Sequence, residues 1–165
     1  MSVEPPTPED DARSAFVYQE ALRGLLQQQA AVESLHARAA TLIFAASFAS
    51  SLLGARALAD GLGGWDWLAL GLLVAIGSLA VFLLWPYYSL SFRFDPETLI
   101  ARYVDVAAPM PMAAIHRELA LQIKADGTAN GRIVRRLREA LQIALILLIA
   151  EIVAWLFSIA GLSFE

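Results

Sequence analysis

Residues 140–162 read ALQIALILLIAEIVAWLFSIAGL, and this stretch decides the fold class. A helix needs roughly 20 residues to cross about 30 Å of hydrocarbon, and Glu151 is the one charged residue in the run. Two more apolar runs lie upstream, at residues 39–55 and 67–87. The second is long enough by itself, and the first becomes so with Arg38 and Arg56 as flanking anchors. With 58% hydrophobic and 17% charged residues, the 165-residue chain carries more apolar surface than one small water-soluble core can bury. The expected fold is therefore all-α and integral to a membrane, with transmembrane helices at 39–58, 66–88 and 139–162. A disordered acidic tail is expected at 1–11, a cytoplasmic helix continuous with the first span at 12–38, and a cytoplasmic helical segment at 89–138.

The N-terminus is acidic and proline-rich, unlike the basic start and short apolar core of a secretory signal, so no cleaved leader is expected. Orientation follows from the cations. Eleven of the twelve Lys and Arg residues precede the first span or lie between the second and third, and only Arg56 sits in the short turn between the first two. Cationic loops stay on the cytoplasmic side, which places the N-terminus and the middle segment inside and the C-terminus outside. Trp65 and Trp67 at one end of the second run and Trp85, Tyr87 and Tyr88 at the other suit the two headgroup regions. Abundant alanine and the ratio of eleven arginines to one lysine agree with a GC-rich bacterial genome, and hence with a bacterial inner membrane.

Outside the spans the sequence reads as helix. Residues 12–38 hold no proline, and Tyr18, Leu22, Leu25, Gln29, Val32 and His36 alternate steps of four and three, the spacing of a coiled-coil seam. This seam is expected to join copies of the chain, with tetramer as the working assembly. Asp95-Pro96-Glu97 reads as a helix start, with Asp95 as cap and Pro96 in the first turn. Pro109 and Pro111 reset the chain, residues 112–125 read as a short helix that Asp126-Gly127 stops, and Asn130 reads as the cap of the helix entering the third span.

The chain has no cysteine, which excludes disulfides, thiol nucleophiles and thiolate metal sites. His36 and His116 lack both metal-ligand spacing and a serine-carboxylate context, and no phosphate-binding glycine loop or nucleophile elbow occurs. No enzyme, cofactor or metal is expected. Three features remain. Glu151 lies mid-span, where a carboxylate costs roughly 2.5–3.5 kcal/mol and normally faces protein or a water path. It reads either as a neutral group bonded to Ser47, Ser50 or Ser51 on one face of the first span, or as a carboxylate lining or gating a pore with those serines. Small residues four apart, Ala46, Ser50 and Gly54 in the first span and Gly71 and Ala75 in the second, favour close helix packing within or between chains. Arg132, Arg135, Arg136 and Arg138, with Lys124 upstream, read either as anchors against anionic lipid or as contacts to a phosphate-bearing ligand.

The layout of Gln27-Gln28-Gln29 and Ser34-Leu35-His36-Ala37-Arg38-Ala39-Ala40-Thr41-Leu42, followed by two close spans and a cytoplasmic helical segment, resembles the small membrane effectors of bacterial anti-phage systems. The SLATT family and the Pycsar-type and Hailong-type effectors share that arrangement, and the resemblance covers residues 18–88. It implies an inner-membrane effector that perforates or depolarises the membrane when a nucleotidyltransferase or cyclase partner makes a nucleotide or oligonucleotide signal. The third span with Glu151 and the lack of an attached sensor domain depart from that pattern. The reading is a homo-oligomeric channel or pore-forming effector controlled from the cytoplasm by such a signal or by a partner protein, without duplex DNA binding. The alternative is a non-conducting membrane scaffold that recruits a cytoplasmic partner.

Single cysteines replacing Ser2, Thr128 and Ser163 in this cysteine-free chain test the topology. In intact cells an impermeant thiol reagent is expected to label only the Ser163→Cys variant. Labelling of Thr128→Cys from outside would reverse the orientation.

Overall fold

The computed structural model describes residues 7–57, 61–85, 94–105 and 110–162. The expected end of the second span at residues 86–88, with Tyr87 and Tyr88, and the Pro109 break lie outside the described residues. The described chain is helical, without strands. Helix α1 spans Pro8–Ala49 and continues through a π-helical stretch, Ser50–Gly54, into the short α2, Ala55–Ala57. Helix α3 spans Gly64–Leu84, α4 Pro96–Tyr103 and α5 Met112–Ile159. Three helical stretches, Pro8–Ala57, Gly64–Leu84 and Met112–Ile159, are long and apolar enough to cross a membrane. That is the pattern of a multi-pass membrane protein.

Two compact units divide the chain, the first containing Met1–Ala31 with Tyr87–Val134 and the second Val32–Pro86 with Arg135–Glu165. In the second unit α1, α3 and α5 meet around Leu42, Ala46, Ile76 and Ala144, flanked by Leu73, Leu79, Leu147 and Leu148. Small and large residues alike are completely buried here: Ala39, Ala69 and Ala144 as well as Leu83 and Leu137. Lipid tails are as apolar as leucine, so helices in a bilayer gain mainly from van der Waals fit, and alanine lets the backbones approach. Ala46 and Gly54 of the small-residue row lie in this interior, while Gly71 of α3 is exposed and Ala75 half-buried.

In the first unit the N-terminal part of α1 lies beside that of α5. Asp11 of α1 accepts the backbone N–H of Ala113 at 3.0 Å, so a carboxylate from one helix caps the first turn of the other. Tyr18 stacks on His116 with ring centroids 5.4 Å apart, and Gln28 Nε2 donates to the Gly127 carbonyl at 3.0 Å. Leu25, Leu119, Ala120 and Ile123 are buried. Helix α4 starts as the Asp95-Pro96-Glu97 run implies, with Asp95 accepting from the N–H groups of Glu97 and Thr98. It is tied to α5 by an ion pair between Arg102 and Glu118.

Two expected boundaries are corrected. Asp126-Gly127 does not stop a helix, and Asn130 is not a helix cap: α5 runs unbroken through both, with Asn130 buried. A helix-interior glycine costs only about 1 kcal/mol relative to alanine, less than the packing and backbone bonding of a continuous helix return. The acidic tail also ends earlier than residue 11, because Thr7 and Asp10 cap each other's backbone N–H groups and α1 begins at Pro8. Bonds from the Thr7 side chain and backbone hold the Asp10 carboxyl below its usual range, as the bond from Thr98 holds Asp95. A carboxylate so held supports its helix start at neutral pH, and that support is lost as pH falls through the lowered value. Burial pushes the Tyr103 hydroxyl up.

Gly24 and Gly131 sit inside α1 and α5 with no atom within 4 Å of where a Cβ would stand. Gly24→Ala with Gly131→Ala is therefore expected to stabilise the protein by about 1–2 kcal/mol through helix propensity alone. A raised thermal midpoint in detergent checks this, and a lowered one would mean that one of the two glycines is needed for packing beyond the single chain.

Candidate functional site

The inner face of α5 in the second unit carries Glu151, Ala154, Trp155 and Ser158, positions three or four residues apart and therefore on one side of the helix. Glu151 is completely buried, although it carries the only formal charge of its run. Its Oε1 accepts a hydrogen bond from the Ser50 hydroxyl of the π-helical stretch and another from Trp155 Nε1 at 3.3 Å. Its Oε2 has no hydrogen-bond partner among the described residues.

The π-helical stretch fits this contact. A π turn accommodates an extra residue and rotates the helix beyond it, and such turns are frequent at functional sites. Ser50 opens the stretch and meets Glu151, and Gly54 closes it and meets Trp155. A Cβ at Gly54 would stand 3.2 Å from both Cη2 and Cζ2 of the indole, closer than ordinary van der Waals contact. Only glycine lets the Trp155 ring lie there undisturbed. Around the ring Ala57, Ala69 and Ala154 are buried, with Leu53, Trp65, Leu70 and Leu72 packed against them.

A second buried carboxylate lies in the same unit. Asp66, in the first turn of α3, is 2% exposed, takes the Ser158 hydroxyl on Oδ1, and accepts the Gly63 N–H on Oδ2 at 2.6 Å. It serves as an N-terminal cap whose second oxygen ties α3 to α5. Trp65 meets Phe157 edge to face, with centroids 4.9 Å apart. A cavity of about 510 Å³ beside Asp66 is lined by Arg56, Ala57, Trp65 and Ser158. Among the described residues neither buried carboxylate forms an ion pair, and no cluster of His, Asp or Glu could hold a metal.

The candidate residues from the sequence are thus only partly brought together. Glu151 and Ser50 meet, whereas Ser47 and Ser51 lie on the exposed flank of α1 and its π-helical end. Arg132, Arg135, Arg136 and Arg138 are all exposed, and Arg135 pairs with Glu139 at 2.9 Å. Lys124 is exposed in the first unit, at a groove shared with Arg13 and Arg117. Of the seam residues, Leu25 and Val32 are 5% and 6% exposed within a single chain, Tyr18 is stacked on His116, and Leu22, Gln29 and His36 are half-buried. Part of that stripe is thus covered within the chain itself. Trp155, Asp66 and Ser158 are not among the residues expected from the sequence, and Gly54 is expected there only as a small residue on the serine face of the first span. The spacing of 151, 155 and 158 signals a polar stripe in an apolar helix, while the Gly54–Trp155 contact depends on a π turn that no local spacing announces.

Comparison with protein-family models, curated proteins and solved structures finds no match to this chain. The chemistry of the site alone therefore bears on what it does.

Gly54→Ala is expected to destabilise the second unit by about 1–3 kcal/mol, the range for overpacking a tight contact. Trp155→Phe in the Gly54→Ala background should recover part of that loss by opening space at the added methyl. Additive losses in thermal unfolding of the two single variants and the double variant would show that the two residues are not in contact.

Proposed function

We propose that this chain is a homo-oligomeric channel or pore-forming effector of a bacterial inner membrane, controlled from its cytoplasmic helices and serving anti-phage defence. The observation that carries the reading is the buried Glu151, latched by Ser50 and Trp155 at a π-helical turn. An apolar residue at this depth would hold α1 and α5 together without the roughly 2.5–3.5 kcal/mol insertion cost of a carboxylate. The polar contact suits a joint that opens better than it suits a permanent one. With Ser50 and Glu151 engaged, α1 and α5 are closed on each other and the carboxyl is shielded. Release of the joint would present both groups to a water path that Ser47 and Ser51 extend.

Other features support the same reading. Exposed Gly71 and Gly77 on α3, where a Cβ would meet nothing within 4 Å, allow close approach by a second copy. Arg132, Arg136 and Arg138 are exposed and form no ion pair among the described residues, as suits contact with anionic headgroups at the cytoplasmic surface. The controlling input is a nucleotide or oligonucleotide signal from a nucleotidyltransferase partner, or a partner protein.

Single-channel recording in planar bilayers tests this. Glu151→Ala deletes the Ser50 bond between the helices, worth about 0.5–1.5 kcal/mol net, and is expected to raise open probability up to about tenfold. Glu151→Gln, which keeps a hydrogen-bonding end of the same shape, should change it far less. Wild type and Glu151→Ala both silent would favour the non-conducting scaffold.

A further inference from the structure

The first unit carries an open groove of about 590 Å³ whose floor and rim have opposite character. The groove's apolar lining, the floor, is Val17 and Ala21 of α1 and Ala120 and Leu121 of α5, and its polar lining, the rim, is Arg13, Ser14, Arg117 and Lys124. Val17 and Leu121 are 54% and 58% exposed, so the groove presents apolar surface between its cations. Arg13 is partly neutralised by Glu9 at 2.6 Å, whereas Arg117 and Lys124 form no ion pair among the described residues. Seven residues separate Arg117 from Lys124, about 10.5 Å or two helical turns along α5.

We infer that this groove is the docking site for an acidic amphipathic helix of a partner protein. The inference rests on the proposed cytoplasmic control and names the kind of partner that exerts it. Small floor residues, Ala21 and Ala120, let a third helix approach the α1–α5 pair, and an apolar stripe at positions i, i+3, i+4 and i+7 matches two turns of floor. Acidic residues flanking that stripe meet cations on both sides. A small phosphate ligand fits less well, because the groove has no buried polar side chain to orient it and no aromatic ring to stack a base. A second copy presenting the same groove would set cations against cations, which disfavours a symmetric self-contact.

The test uses the full chain in nanodiscs of zwitterionic lipid and a fluorescein-labelled synthetic helix of about 14 residues, with leucines on one stripe and glutamates on its flanks. Fluorescence anisotropy is expected to show binding above that of empty nanodiscs, weakening severalfold between about 50 and 200 mM salt as the charges are screened. Arg117→Glu with Lys124→Glu should weaken binding at least tenfold and should instead take up the same helix carrying lysines on its flanks. Both replaced residues are exposed, and unchanged helical circular dichroism verifies that the variant folds. Equal binding by wild type and the charge-reversed variant, or equal binding of the two helices by wild type, would overturn the docking site. So would adhesion of the protein to anionic vesicles with no binding of the acidic helix, since that assigns the rim to a membrane surface. The assay needs no conductance, so its failure leaves the channel reading standing, and a silent channel leaves the groove standing.

Discussion

A polar group placed inside a membrane-length helix must be satisfied by protein, because the hydrocarbon around it offers no hydrogen bonds. Glu151 imposes that constraint on the second unit. Its Oε1 is satisfied by Ser50 from the π-helical end of α1 and by Trp155 one turn away on α5, so the carboxyl fixes which face α5 turns toward α1. The other contacts of the site depend on that rotation. Trp155 needs room, Gly54 is the residue that grants it, and the π turn carries both Ser50 and Gly54. Asp66 and Ser158 repeat the arrangement between α3 and α5, so two hydroxyl–carboxyl contacts tie three helices around an interior of alanine and leucine.

Around a small apolar core of Leu25, Leu119, Ala120 and Ile123 the first unit has four polar or ring contacts: a capped helix start, a stacked Tyr18–His116 pair, an amide on a backbone carbonyl and an ion pair on the flank of α4. Each is the sort of interaction that water weakens, worth about 0.5–1.5 kcal/mol net where uncharged.

Much of the architecture is legible in the sequence because its cause is local. Long apolar runs, absence of proline over residues 12–38, and the Asp95-Pro96-Glu97 start act within a few turns and need no knowledge of the tertiary fold. Asp126-Gly127 misleads because a glycine inside a helix costs only about 1 kcal/mol, and here Gln28 also bonds to the Gly127 carbonyl of an unbroken helix. The Tyr18 to His36 stripe shows that a face needs covering without showing by what. Its cover comes from residues about a hundred positions away. The Glu151–Ser50 contact is foreshadowed as one of three serines, and choosing among them requires the turn from which Ser50 projects.

The central claim is that Glu151 closes a joint within each chain and that opening the joint opens the path. The chain contains no native cysteine, so Ser50→Cys with Glu151→Cys can be bridged by a short thiol-to-thiol crosslinker without side reactions. The account predicts that the bridge forms inside one chain, leaving the monomer mass unchanged on a denaturing gel. It also predicts that a cleavable bridge silences single-channel currents and that cleaving it restores them. Bridges that join two chains, or currents unaffected by a completed bridge, would contradict the account.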